Sequence, residues 1–529
     1  MGSIAALSQH GKRLLHVTID EIAWDDPDRP YASLPYDDDN LSKGYEDITF
    51  AVLANAINKL AWHIQSCLGT DSDLHTYTYI GTPDLRYQIM SMATAKLSKR
   101  VLFSSHMHST EAHLNLMFKT DTRAMFTATG VDVSDILAAR PVPHFHIPSL
   151  EELLSPTATK HYPYSKTFSE AALDDYLVLH SSGSTGLPKP ITVNHAAMAC
   201  LDNIASLPSI DPHTGQQRRF ANNPGPGTRF LLPFLPFHGI CCIVFPPAFV
   251  FHGAVYVPGL RHRLTKPTDI FSILDHANIT DAFLSPAIIE DIVSHPSAGT
   301  YLSKIRTLFF GGAAMNATAA TTAAKYTNLQ NQWGVTENGK AVDLLTSASD
   351  HAYNAFDLVA AGMRFQPLPS TDPTQPVIYQ LFFDPTPEAL PQQAYFTRLP
   401  ARETLEPFDT GDLWLAHPDP AKAKFTFRFI GRTDDLISFK DGSNFHPTDW
   451  ELAHAEHPLV RSAVLAGVGH RQVLLLLELH PEALGTTDGA DGVAGQRNEE
   501  EVLEKLWRES ISRVNARAPG MGGWERGMC

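Results

Sequence analysis

Short apolar runs of strand length alternate with amphipathic helical stretches along most of this chain, and that alternation leaves few folds open. Tyr77 to Ile80 reads as a strand, Pro83 to Leu97 as a helix opened by Pro83 and Asp84, and Val101 to Ser104 as the next strand. A β, α, β order of this kind implies a parallel, doubly wound sheet with helices on its faces. Upstream, Asp47 or Thr49 offers a cap for a helix of about four turns, in which Phe50, Leu53, Ile57, Leu60, Ala61 and Ile64 recur at helical spacing. The alternation returns between Asp175 and Gln332, with Tyr176 to Leu179, Ala282 to Leu284 and Thr307 to Phe310 as core strands. The large N-terminal part is therefore of the α/β class.

Past about residue 365 the pattern changes. Pro367, Pro369, Pro373 and Pro376 punctuate a loop, and the shorter extended runs Val377 to Phe383 and Phe425 to Ile430 predict a small β-rich subdomain. The last stretch reads as a compact α+β unit. It holds a helix near Asp449 to His457, strands Ala463 to Val468 and Gln472 to Leu479 joined across Gly469, and a loop from Gly485 to Gly495. A final helix opens at Asn498 with Glu501 three residues on, as in a capping box, and carries Val502, Leu506 and Val514 on its apolar face.

Composition excludes several function classes. The chain has 529 residues, too many for one simple domain and enough for roughly two to four structural units. Its 41 Lys and Arg against 57 Asp and Glu leave a net charge of −16 with no basic block, which argues against nucleic acid or an anionic membrane as the main partner. With 43% hydrophobic and 19% charged residues, it is neither disordered, collagenous nor coiled-coil. Five scattered cysteines (Cys67, Cys200, Cys241, Cys242 and Cys529) lack metal-ligand spacing and predict neither disulfides nor a zinc site. The N-terminus has no apolar segment of signal-peptide length, which predicts a cytoplasmic protein. Phe230 to Leu260 is strongly apolar, but its prolines and histidines exclude a membrane helix, and it reads as buried strands and loops.

The sharpest local signal is Ser181-Ser182-Gly183-Ser184-Thr185-Gly186-Leu187-Pro188-Lys189-Pro190, directly after an apolar strand. Small hydroxyl and glycine residues let the backbone wrap an anion, and Lys189 adds a point charge, so a phosphate fits. The spacing is not that of a Walker loop. Further on stand Phe310-Gly311-Gly312-Ala313-Ala314, Asn331-Gln332-Trp333-Gly334-Val335-Thr336-Glu337, Asp409-Thr410-Gly411-Asp412 and Gly431-Arg432-Thr433-Asp434-Asp435. In this order and spacing they resemble the adenylate-forming superfamily of acyl- and aryl-CoA ligases, luciferases and peptide-synthetase adenylation domains. Gly431-Arg432-x-Asp434-Asp435-x-Ile437 with Gly442, Pro447 and Glu451 looks like the fungal peptide-synthetase-like enzymes, many of them multidomain carboxylic acid reductases. The opening Gly44 to Thr49, Tyr79-Ile80-Gly81 and Asp84-Leu85-Arg86-Tyr87 points the same way.

That resemblance implies a layout and a set of roles. An adenylation core of doubly wound sheets plus a small β-rich subdomain would span 1–430, a hinge 431–435 centred on Asp434, and a small α+β C-terminal subdomain 436–529. Ser182, Gly183, Ser184, Thr185, Gly186 and Lys189 would hold the β- and γ-phosphates of ATP. Gly312, Ala313 and Ala314, with Asn331 and Gln332, would frame the adenine, with Trp333 stacking on it. Thr336 would bond the α-phosphate, Glu337 would hold Mg²⁺, and Asp412 and Arg432 would grip the ribose hydroxyls.

The reaction needs no protein nucleophile, since the acid's carboxylate attacks the α-phosphorus and pyrophosphate leaves; positioning and charge neutralisation do the work. Lys189, Thr336, Glu337 and His238 carry that catalytic role by resemblance. His238 stands where amino-acid-activating relatives usually carry Asp after the corresponding Phe. This favours an acid without an α-amino group, aromatic or α-keto, in an apolar pocket of Phe237, His238, Ser285, Phe310, Gly311 and Gly334. The family's catalytic lysine has no match after Lys440 except Lys505, in the final helix, so the C-terminal subdomain reads as cut before that lysine; Ser438 replaces a lysine often found after the hinge. The expected acyl acceptor is a phosphopantetheine thiol on a downstream carrier, followed in such reductases by an NADPH-dependent reductase domain. A free-standing ligase using coenzyme A and a non-catalytic nucleotide-binding module stay open beside it.

Overall fold

A computed structural model describes residues 10–70, 73, 75–181, 187–219, 225–261, 263–369, 376–399, 405–434, 437–438, 444–445, 447–467, 473–480 and 499–512. The chain forms two compact units. One gathers the described residues up to Met315 with Ala319–Arg364 and Phe383–Phe408; the other takes Asn316–Thr318, Phe365–Phe382 and the described residues from Asp409 onward.

The first unit carries two sheets. Seven strands lie in the order Asn328–Asn331, Thr307–Phe310, Asp281–Phe283, Arg229–Leu232, Val255–Pro258, Pro30–Pro35 and Tyr45–Thr49. All neighbours are parallel except the last pair. Six more follow the order His144–His146, Thr122–Thr127, Thr76–Ile80, Arg100–Phe103, Asp175–Ser181 and Lys189–Asn194, again parallel but for the final antiparallel pair. Strands such as Thr76–Ile80 and Thr307–Phe310 are buried along their whole length, as parallel strands covered on both faces must be.

The helix Phe50–Leu68 is capped by Thr49, whose hydroxyl accepts from the Val52 amide at 3.3 Å, and it buries Phe50, Leu53, Ile57, Leu60, Ala61 and Ile64. The next helix spans Arg86–Lys96, shorter than the expected Pro83 to Leu97. Asp84 instead forms a turn before it, accepting from the Arg86 amide at 2.9 Å and from the Arg86 guanidinium.

The reading of Phe230 to Leu260 as strands and loops needs correction. Strands Arg229–Leu232 and Val255–Pro258 bracket two helical pieces, Ile240–Val244 and Pro246–Val250. Pro246 and Pro247 open the second, where a missing N–H costs nothing and a preset φ helps. Among the described residues no helix is long and apolar enough to cross a membrane.

In the second unit the strands Phe408–Ala416 and Thr426–Arg432 pair antiparallel. Trp414 is fully buried with Phe365 and Phe429 edge-on to it. Toward the C-terminus come the helix Thr448–Ala455, the hairpin of Val460–Ala466 with Leu474–Leu479, and the helix Glu499–Leu506 continued by Trp507–Ile511. Val460, Val502 and Leu506 close one small core, and Ile437 and Leu465 another. The expected turn at Gly469, the loop Gly485 to Gly495, the cap Asn498 and Val514 lie outside the described residues.

Candidate functional site

The segment expected to hold phosphates runs between the antiparallel strands Asp175–Ser181 and Lys189–Asn194, with Ser181 opposite Lys189. Ser182, Gly183, Ser184, Thr185 and Gly186 lie outside the described residues. Lys189 is exposed at the start of its strand, and Asn115 steadies the approach by donating to the Pro188 carbonyl at 2.8 Å. Asn194 ends that strand and caps the helix His195–Asn203 by accepting from the Ala197 amide at 3.0 Å.

The segment Asn331 to Glu337 follows the edge strand of the larger sheet. Asn331 pairs with Phe310, and the Gln332 amide donates to the Phe310 carbonyl at 2.8 Å. Only glycine fits at 311: a Cβ there would stand 2.0 Å from the Gln332 carbonyl oxygen. Gly312 follows at φ +82°, and Gly312, Ala313 and Ala314 are exposed. Trp333 is only 9% exposed, its ring 6.1 Å from both Phe356 and Phe383, so most of its surface is spent on packing. Gly334 pairs with Lys340 and Val335 with Gly339, so Thr336, Glu337 and Asn338 form the turn of a tight hairpin.

That turn meets the Phe237-His238-Gly239 segment. A Cβ placed on Gly239 would lie 3.6 Å from the Thr336 hydroxyl oxygen, so the two motifs lie side by side. Phe237 packs against Tyr87 and His106, with ring centroids 5.7 and 5.8 Å away. His238 is solvent-accessible. Its Nδ1 accepts from the Ile240 amide at 3.2 Å, which places the proton of the neutral ring on Nε2, and desolvation draws its pKa below the ordinary value. Of the other expected pocket residues, Ser285 caps the helix Pro286–Ser294 with its hydroxyl, Phe310 sits in the hydrophobic core, and Gly311 and Gly334 serve close backbone contacts.

Asp412 and Arg432 come together in the second unit, directly opposite each other on paired strands. Asp412 is buried, and Arg432 Nε lies 3.7 Å from its carboxylate and 3.2 Å from that of Asp434. Asp434, the expected hinge residue, is exposed.

Several residues around the site were not legible in the sequence. Arg219 donates to the Asn331 carbonyl at 2.7 Å and lies 3.7 Å from Asp343. Burial pulls the neighbouring Lys340 amine down to about 8, opposed by Asp343, whose own pKa burial raises. Arg398 donates to the Thr336 carbonyl at 3.3 Å; burial lowers it to about 10, with Glu337 the strongest opposing charge. Behind Phe237, the His108 ring lies tilted 4.3 Å from that of His180, and both His113 and His108 meet the Ser104 hydroxyl. Burial brings His113 and His180 down to about 4. His10, Asp202 and His252 also converge, but Arg13 already bonds the Asp202 carboxylate at 2.5 Å, and that cation occupies the position a metal ion would take.

Comparison with known proteins agrees with this arrangement. Residues 25–369 match the AMP-binding enzyme family and residues 434–529 the AMP-binding enzyme C-terminal domain. The chain is 25% identical to an isocyanide synthase-NRPS hybrid of Aspergillus fumigatus over 96% of its own length and 30% of that protein. It is 25% identical to a carboxylic acid reductase of Neurospora crassa over 96% of its length and 46% of that protein. It thus spans less than half the length of these curated relatives. Acetoacetyl-CoA synthetase from Streptomyces lividans shares the fold, with a TM-score of 0.69 at 15% identity over 97% of this chain and 78% of that one. Two doubly wound sheets and a family match over residues 25–369 together place this chain in the AMP-binding enzyme family, with the adenylate-forming fold.

Proposed function

We propose that this chain activates a carboxylic acid with Mg·ATP to an acyl-adenylate and passes the acyl group to a phosphopantetheine thiol on a carrier, as the first module of a fungal carboxylic acid reductase-like protein. The observation that carries this reading is the close approach of Thr336 to Gly239. It puts the turn expected to face an α-phosphate beside the segment expected to receive the acid, which is the proximity such a condensation requires.

Thr336 and Glu337 offer a hydroxyl and a carboxylate, oxygen donors suited to a hard divalent cation. Magnesium bound there with the nucleotide would neutralise phosphate charge. Lys189 adds a cation at the phosphate loop. The Asp412 carboxylate, opposite Arg432, can accept from two ribose hydroxyls.

An acid without an α-amino group is favoured by His238. The residue after Phe237 is an imidazole whose pKa desolvation lowers, not a carboxylate that would pair with an α-ammonium. The test is hydroxylamine-trapped pyrophosphate release with Mg·ATP across benzoic, α-keto, aliphatic and amino acids. Acid-dependent release confined to acids lacking an α-amino group is the expected result. Binding of ATP with no release from any acid would overturn the catalytic reading and leave the nucleotide-binding module. Comparing coenzyme A with a phosphopantetheinylated carrier as acceptor separates the two enzyme readings.

A further inference from the structure

We propose that Arg398 is the positioning residue of the Thr336-Glu337 turn, holding the Glu337 carboxylate where a nucleotide-bound divalent cation needs it. This rests on the adenylation reading above and adds a residue that lies outside every motif by which the chain was recognised.

Arg398 ends the short helical segment Ala394–Arg398, and three hydrogen bonds fix that segment. The Tyr395 amide donates to Asn338 Oδ1 at 3.0 Å, and Asn338 belongs to the same turn as Thr336 and Glu337. Asn194 Nδ2 donates to the Thr397 carbonyl at 2.8 Å, and the Thr397 hydroxyl returns a bond to Asn194 Oδ1 at 3.0 Å. Asn194 closes the strand that begins at Lys189. The segment therefore ties the Lys189 strand to the Glu337 turn, and Arg398 stands at its end.

The guanidinium uses one edge on the turn, where Nη2 donates to the Thr336 carbonyl at 3.3 Å. Its strongest favourable charge is Glu337, ahead of Tyr395 and Asp175. Its Nε is buried with no hydrogen-bond partner among the described residues. A buried unsatisfied donor costs stability, so packing alone does not account for a guanidinium at this place. A rigid fork that grips a main-chain carbonyl can also orient the adjacent carboxylate, which a single ammonium cannot do in the same way. The carboxylate has lone pairs to spare, so it can accept from Arg398 and still bind a cation with its other oxygen. Partners of this kind behind a metal ligand set its orientation and basicity.

The test uses the full chain, with Mn²⁺ as a paramagnetic stand-in for Mg²⁺ and α,β-methylene-ATP as an unreactive nucleotide. Arg398→Gln keeps an N–H donor for the Thr336 carbonyl and removes the charge; Arg398→Lys keeps the charge and removes the fork. The Gln variant is expected to raise the Mn²⁺ half-saturation about tenfold or more, and the Lys variant about threefold, as when a partner behind a metal ligand is lost. Nucleotide affinity in chelator should change less than about twofold in both, since the contact acts through the metal ligand. Mn²⁺ half-saturation in the Gln variant equal to wild type overturns the proposal, as does a parallel fall of metal-free affinity, which would mark a purely structural role. If circular dichroism finds the Gln variant unfolded, the Lys variant decides alone, and an unchanged half-saturation overturns the proposal. Wild-type chain that fails to bind the nucleotide with or without Mn²⁺ overturns the adenylation reading itself, and this inference with it.

Discussion

Asp412 and Arg432 face each other across an antiparallel strand pair, the carboxylate buried and the guanidinium about half exposed. Twenty residues of sequence separate them, yet strand register alone makes them neighbours. The buried carboxylate lies 3.7 Å from Arg432 Nε, and a carboxylate has the lone pairs to accept from a diol. Asp412→Ala should lower acid-dependent pyrophosphate release by about 10² or more, the scale for loss of one well-placed polar contact in such a site. If the two residues hold one nucleotide as proposed, a double-mutant cycle with Arg432→Ala, read by nucleotide calorimetry, should give a coupling of roughly 0.5–3 kcal/mol, since they face each other across the strand pair.

Gly311 offers a test of the backbone rather than of a side chain. Its missing Cβ lets the Phe310 strand end approach the Gln332 carbonyl, and Gly311→Ala would set a methyl 2.0 Å from that oxygen. The carbonyl belongs to the backbone and cannot rotate away, so the 331–333 stretch must move. The variant should lose about 1–3 kcal/mol of stability, the usual cost of overpacking. Nucleotide affinity should fall as well. Differential scanning fluorimetry and titration with the unreactive nucleotide check both; an unchanged affinity would show that residues 331–333 do not shape the nucleotide site.

What could be read in advance followed from local pattern. The strand Thr307–Phe310 was expected with the bounds observed, because four consecutive apolar or β-branched residues precede a glycine pair. The helix Phe50–Leu68 was announced by its apolar period and its Thr49 cap. Phe230 to Leu260 misleads because prolines read as helix breakers, whereas Pro246 and Pro247 open a helix. Trp333 carries no local sign of whether its ring faces a ligand or Phe356 and Phe383. Arg219 and Arg398 were invisible for a different reason: each acts on a carbonyl more than sixty residues away in sequence, through contacts that only tertiary structure creates.

Asp202 anchors the start of the described chain. Its fully buried carboxylate accepts from Arg13 Nε at 3.0 Å and from the Gly11 amide at 2.9 Å, with His252 3.3 Å away. Burial alone would raise its pKa, but His252, Arg13 and the Gly11 amide together hold it well below the usual carboxylate range. Asp202→Asn keeps the shape and removes the charge, leaving Arg13 largely buried without its counter-ion. Breaking a buried pair from one side costs about 3–5 kcal/mol. The variant should therefore release residues 10–13 from the helix His195–Asn203, and limited trypsinolysis should cut after Lys12 or Arg13 well before wild type is nicked. Equal cleavage rates would show that the anchor holds without the charge.

Acid should destabilise this protein earlier than carboxylate protonation alone would. Burial lowers His113, His180 and His195 to about 4, and it lowers His16, whose ring nitrogens have no hydrogen-bond partner among the described residues, well below its ordinary value. Unfolded histidine titrates near about 6.5. Between that value and about 4 the unfolded state binds protons the folded state refuses, so the stability from these groups is complete above about pH 6.5 and is lost as pH falls toward 4. Each fully enclosed imidazole contributes on the order of 1–3 kcal/mol across that window. Urea midpoints should therefore fall steeply between pH 6.5 and 4.5, with more than one proton taken up on unfolding. His113→Gln removes one such group while keeping a donor for the Ser104 hydroxyl, which now meets the ring at 2.8 Å, and it should flatten the slope by about one proton. A slope unchanged in that variant would mean that His113 titrates alike in both states.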